Sequence, residues 1–155
     1  MKIRKAKIED AAAMSRLVKR TIVKINGPYY TKRQILAWKK LVSARGYRKR
    51  IKDGNRYLVV AEKKEMIVGV GIMNPKKQMI SGMYVRVENI RQGIGQKLIS
   101  ALEKRLMSLP VNKISLNSSL SAVKFYQCMG YEKIKKTFTI MNGERIPCVL
   151  MIKKF

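Results

Sequence analysis

The feature that most constrains this chain is a strand that runs into a glycine turn and leaves it as a helix, between Met83 and Ile99. Tyr84, Val85 and Val87 are strand formers. After Gly95 the apolar residues fall at Leu98, Ile99, Leu102 and Leu106, which is helical spacing. Between the two lies Gly93-Ile94-Gly95, at the helix start. A helix N-terminus carries unpaired N–H groups and a partial positive charge, and glycine lets a ligand approach the backbone. Strand, turn and helix start therefore predict an anion site suited to phosphate. The same glycines also read as a helix start with no ligand.

Known phosphate loops narrow the reading. A Walker loop needs Gly-x-x-x-x-Gly-Lys-Ser/Thr, which this stretch lacks. A dinucleotide fold needs a third glycine and a place in the first βαβ unit; here Gln96, Lys97 and Leu98 follow, past mid-chain. The stretch resembles instead the pyrophosphate loop of the GNAT superfamily of acyl-CoA N-acyltransferases, Gln/Arg-x-x-Gly-x-Gly/Ala after a strand. One position departs: Ile90 stands where Gln or Arg is usual, with Arg91 beside it. A second stretch, Ser119-Leu120-Ser121-Ala122-Val123-Lys124-Phe125-Tyr126-Gln127-Cys128-Met129-Gly130-Tyr131, resembles the other signature of that superfamily. Ala122, Phe125, Tyr126, Gly130 and Tyr131 match, and Ser119 replaces a common Asn. Two motifs in order are far more specific than either alone. Tyr29-Tyr30-Thr31, Gln34-Ile35 and Trp38 look like one subset of small GNAT proteins, so the resemblance covers nearly the whole chain.

The resemblance implies acetyl-CoA as cosubstrate and no metal. A splayed strand carrying Tyr84, Val85 and Val87 would pair its backbone with the pantetheine arm. The amides of Arg91, Gln92, Gly93, Ile94, Gly95 and Gln96 would hold the pyrophosphate, with Ser119 beside the cofactor. Tyr126 would protonate the leaving thiolate. Many GNAT enzymes place a Glu base near the start of the glycine-loop strand, but here Gln78 to Gly82 include no carboxylate. A base acting through ordered water is expected, anchored by Glu62 or by Tyr29, Tyr30 or Tyr84. A backbone N–H near Val85 would meet the oxyanion.

Composition removes other chemistries. There is no histidine, so no Ser-His or Cys-His nucleophile pair and no His metal site exists. The nine carboxylates, Glu9, Asp10, Asp53, Glu62, Glu65, Glu88, Glu103, Glu132 and Glu144, do not cluster in sequence, against a polycarboxylate metal site. Cys128 and Cys148 are too few for a structural zinc site; they are expected as buried free thiols, with a disulfide as the alternative. The net charge is +26, which reads either as a surface for nucleic acid or another acidic partner, or as a solvated Lys/Arg shell. The basic run Arg45 to Lys52, interleaved with Tyr47, carries the same two readings, and the solvated face is favoured. No apolar run approaches a membrane span, and Glu9 and Asp10 stand where a signal-peptide core would begin, so a cytoplasmic location and no membrane partner are expected.

Periodicity orders the elements. Lys2 to Lys7 reads as a strand. A helix follows with Ala11, Met14, Leu17, Val18 and Ile22 on one face, stopped by Asn26-Gly27-Pro28. Thr31 is the expected N-cap of a second helix carrying Ile35, Trp38 and Val42. Strands Tyr57 to Glu62, Met66 to Met73 and Met79 to Val87 form an antiparallel meander into the glycine loop. Strand Lys113 to Asn117 should lie parallel to the last of these. A helix Ser121 to Met129 precedes strands Tyr131 to Met141 and Arg145 to Lys153, which meet at Asn142-Gly143, a type I′ hairpin signal. The expectation is one α+β domain over residues 1–155, a mostly antiparallel sheet of about seven strands with helices on both faces, in the order βαα-βββ-αβ-αββ. The leading functional reading is an N-acetyltransferase moving an acetyl group from acetyl-CoA to a primary amine, as monomer or homodimer. The second is a basic nucleic-acid- or ribosome-associated module on the same fold. The acceptor is not legible; the segments that would select it lie near residues 26–50 and in the final hairpin.

Overall fold

Hydrophobic alternation in the central strands sets the layering of the chain, whose computed structural model describes every residue from Met1 to Phe155. The strands are β1 (Lys2–Lys5), β2 (Tyr57–Lys63), β3 (Met66–Asn74), β4 (Met79–Val85), β5 (Lys113–Ser118), β6 (Glu132–Met141) and β7 (Glu144–Lys154). The helices are α1 (Ala11–Thr21), α2 (Lys32–Lys40), α3 (Ala44–Asp53), α4 (Ile94–Met107) and α5 (Val123–Cys128). One mixed sheet joins all strands in the order β1-β2-β3-β4-β5-β7-β6. No helix is long and apolar enough to cross a membrane.

In β2, Val59 and Ala61 face one way and Leu58 and Val60 the other, as a pleat buried on both sides requires. The first face packs against Leu98, Ile99, Leu102 and Leu106 of α4 and Tyr126 of α5. The second packs against Met14, Val18 and Ile22, Trp38 of α2 and Tyr47 of α3. Each such fully buried aliphatic side chain contributes about 1.5–3 kcal/mol. Gly69 and Gly71 let α4 sit close: a Cβ at Gly69 would stand 2.8 Å from Leu98, and one at Gly71 3.1 Å from Leu102.

Several elements differ from the sequence reading. The basic run, by its sequence a surface loop or a short helix, is the helix α3, so three helices and not two precede the meander. Its Tyr47 is buried, so the aromatic that made the run look like a nucleic-acid contact is a core anchor. The first strand ends at Lys5, where Arg4 ties β1 to Asp10 (2.8 Å) and to Glu62 (2.9 Å). Strand β4 stops at Val85, and Val87 lies in the 3-10 turn Val87–Asn89. The last turns after α1 widen into a π-helix over Ile22–Asn26, followed by a 3-10 turn Gly27–Tyr29. Both cysteines are free, but only Cys148 is buried; Cys128 ends α5 on the surface. The Thr31 cap is as expected: its side chain accepts from the Gln34 amide at 3.1 Å, and Gln34 returns the contact to the Thr31 amide at 2.9 Å. Asn142 and Gly143 both hold positive φ, as a type I′ turn requires.

Candidate active site

The site begins with a fault in the sheet. Strand β4 is parallel to β5 and pairs with it only at Met79↔Ser115 and Ile80↔Leu116. Ser81 is then an extra residue in β4, since Ile72 faces Gly82 while Met73 faces Ile80. Beyond this bulge β4 stays on β3 and leaves β5. The Arg86 amide donates to Val68 O at 2.9 Å. By antiparallel alternation, Tyr84 and Gly82 also direct their backbone groups at β3, and Met83 and Val85 direct theirs into the gap. The Thr21 hydroxyl covers the Val85 carbonyl at 2.9 Å. The Val85 N–H and both backbone groups of Met83 face the opening.

The glycine loop closes one end of the gap. Arg91 (φ 60°) and Gly93 (φ 76°) are both left-handed, an uncommon state for Arg, and the backbone turns concave there. Helix α4 starts from Gly93, with its first backward bond from the Lys97 amide to Gly93 O at 3.1 Å. The amides of Ile94, Gly95 and Gln96 thus lack intrahelical partners, and no acidic side chain lies in the first turn to answer the dipole. A Cβ at Gly93 would meet nothing, while one at Gly95 would meet the Phe125 ring at 3.2 Å.

These pieces line one cavity of about 900 Å³. Of the residues the sequence singled out, Tyr84, Val85, Arg91, Gly93, Ile94, Gly95, Gln96, Ser119 and Tyr126 all line it. Val87 and Gln92 do not. Val87 sits in the turn past the strand end, and the Gln92 side chain folds back onto Glu88 O and Asn89. Tyr126 rests edge-on against Phe125 and Tyr131, at 5.2 and 5.8 Å between ring centres. Burial raises its hydroxyl above the usual tyrosine range, so it stays protonated at neutral pH. Tyr84 is raised by burial too, opposed by a hydrogen bond with Trp38.

Glu62 is not an anchor for water here: it faces Arg4 on the far edge of the sheet. Glu88 pairs with Arg20 and Arg86 outside the cavity. No carboxylate lines the cavity at all. What sequence reasoning missed is a polar row built by the π-helix. Asn26 Oδ1 accepts from Ser121 Oγ at 2.6 Å, and Ser121 Oγ lies 3.1 Å from Ser119 Oγ. Beside it the Tyr30 hydroxyl donates to Pro147 O at 2.8 Å and accepts from the Leu120 amide at 2.9 Å. Asn26 read only as a helix stop, because a π turn has no periodicity of its own to detect.

The family model described as an acetyltransferase (GNAT) domain matches residues 27–155. No curated protein matched the sequence. Among solved structures, the GCN5-related N-acetyltransferase from Rhodopseudomonas palustris is similar at 22% identity and TM-score 0.91, over 99% of this chain and 95% of that one. The PaiA N-acetyltransferase from Thermoplasma acidophilum, in complex with coenzyme A, is similar at 18% identity and TM-score 0.82, over 99% and 98%. The phosphinothricin acetyltransferase from Sinorhizobium meliloti, in complex with AcCoA, is similar at 16% identity and TM-score 0.74, over 99% and 88%.

Proposed function

The chain belongs to the acetyltransferase (GNAT) domain family, and from that premise we propose that it is an acetyl-CoA-dependent N-acetyltransferase that transfers acetyl directly to a primary amine in a ternary complex. The observation that carries the reading is the pairing of a phosphate cradle with an open β4 edge inside one cavity. Both fit the cofactor. Three free amides at the start of α4 and the concave turn at Arg91–Gly93 suit the pyrophosphate. The Met83 and Val85 backbone groups suit the amides of a pantetheine arm. Bound acetyl-CoA supplies an activated thioester acetyl group. The relatives in complex with coenzyme A or AcCoA support that ligand class.

The chain's own residues then have separable tasks. Helix α4 and the glycine loop bind, and Arg91 adds a charge at the rim. The Val85 N–H donates to an acyl oxygen as negative charge develops there. Tyr126 holds a proton at its hydroxyl and gives it up to the departing sulfur. The amine end is bounded by Asn26, Tyr29 and Tyr30 on one side and by Thr139, Met141 and Ile146 on the other.

Binding is tested first. Acetyl-CoA is expected to raise the melting temperature by mass action. Gly93→Glu is expected to abolish the shift, because it places a negative side chain where phosphate belongs and strains a positive φ. A folded Gly93→Glu protein that binds coenzyme A as the parent does would remove the cradle assignment.

A further inference from the structure

The acceptor half of the cavity has an unusual inventory for a site that must deprotonate an ammonium ion. Its titratable groups, together with those of the cofactor half, are Lys24, Tyr29, Tyr30, Tyr84, Arg91, Tyr126 and Cys148. None is acidic, and the chain has no histidine. Burial raises Tyr30, Tyr84, Tyr126 and Cys148, so none of these takes a proton near neutral pH. Five of the nine carboxylates are held in ion pairs elsewhere: Asp10 and Glu62 on Arg4, Glu88 on Arg20, Glu103 on Lys153 and Glu144 on Arg33. The other four, Glu9, Asp53, Glu65 and Glu132, do not line the cavity either.

Resting on the acetyltransferase reading above, we infer that the acceptor is the N-terminal α-amine of a peptide chain whose first residues carry no positive charge. Two lines of physics lead there. First, only a neutral amine attacks, and with no base in the cavity the amine must arrive neutral. A peptide α-amine titrates near ~8 and a lysine side chain near ~10.4, so at pH 7.5 the neutral fractions differ by roughly two hundredfold. Second, with Arg91 answering the cofactor's phosphates, the remaining charge on the walls is that of Lys24, within a chain of net charge +26. A polyamine or a basic peptide meets the like charge of Lys24 with no carboxylate to offset it, whereas an acidic peptide is attracted and a neutral one is not repelled. Asn26 fits a peptide as well: its Oδ1 is taken by Ser121, which leaves Nδ2 to donate to a peptide carbonyl.

The experiment is release of free thiol from acetyl-CoA by the full chain at pH 7.5, with three acceptors at equal concentration. One is a glutamate-containing peptide with a free N-terminus. The second is the same peptide with a blocked N-terminus and one added lysine. The third is spermidine. The expected result is transfer to the free peptide at least a hundredfold faster than to the others, with acetyl located on the α-nitrogen by mass spectrometry. Its rate rises with pH and levels near the peptide's own amine pKa. Equal or faster transfer to spermidine or to the lysine ε-amine overturns the inference and leaves the acetyltransferase reading standing. No transfer to any amine, with acetyl-CoA still raising the melting temperature, also overturns it. No effect of acetyl-CoA on melting overturns the acetyltransferase reading itself.

Discussion

Tyr126 is fixed by the rings of Phe125 and Tyr131 and lines the cavity. Packing and chemistry are therefore separable at this residue. Tyr126→Phe is expected to lower kcat about a hundredfold or more, leave the KM for acetyl-CoA nearly unchanged, and shift the melting temperature little. Steady-state rates and a thermal melt on the same preparation check it, and an unchanged single-turnover rate would assign the proton to water instead. Tyr126 and Gly95 were legible because each sits in a short motif whose spacing is its signal. They prove to be coupled, since Gly95 leaves just the space that the Phe125 ring occupies. Arg91 was legible as a charge but not as a left-handed residue, because arginine has no preference for that conformation; the surrounding turn imposes it. Asn26 was legible only as punctuation, and its hydrogen bond to Ser121, 95 residues away, is a tertiary fact.

Elements carry the next level of control. Strand β1 has four residues, too few to hold by backbone bonds alone, and Arg4 anchors it to both the following turn and β2. The Arg4 guanidinium, helped by the Lys7 amide at 2.7 Å, holds the Asp10 carboxyl below the usual carboxylate range. A depressed folded-state pKa means stability that is fully present above the unfolded value of about 4 and is lost as pH falls through the folded one. The parent should therefore lose stability on acidification below about pH 4, and Asp10→Asn should be less stable at neutral pH but show a flatter acid limb. Urea unfolding at a series of pH values checks both; parallel curves for the two proteins would mean the ion pair contributes nothing. The helices and strands themselves were largely legible from periodicity. The exceptions have local causes. The charges of the basic run hid the single buried Tyr47 that seats α3. Val87 has strand propensity, but the chain has already turned at Arg86, because β3 supplies its last carbonyl to that strand at Val68.

At the scale of the molecule, no Lys or Arg is buried in the core, and the cavity inherits the sign of their surplus. The meander β2-β3-β4, the parallel β4–β5 pair and the hairpin at Asn142-Gly143 followed from turn chemistry and crossover rules. The bulge at Ser81 did not, since a slipped register leaves no mark in the alternation of Met79 to Val85. That slip has a dynamic consequence. Within the sheet, two residue pairs and the bond from the Ser115 amide to Gln78 O at 3.0 Å are what join strands β1–β4 to strands β5–β7, so the seam between them is the sheet's sparsest line of backbone bonding, where local opening is expected. A ligand that lies along it acts as mortar, and its footprint is periodic. In amide hydrogen exchange, Met83 and Val85 should exchange fast in the free protein and slow sharply with acetyl-CoA. Gly82 and Tyr84, already bonded to β3, should change little. Uniform slowing of all four would indicate general tightening rather than a strand laid into the seam. The seam is thus the line along which a bound cosubstrate is expected to complete the sheet's backbone bonding and couple its two halves.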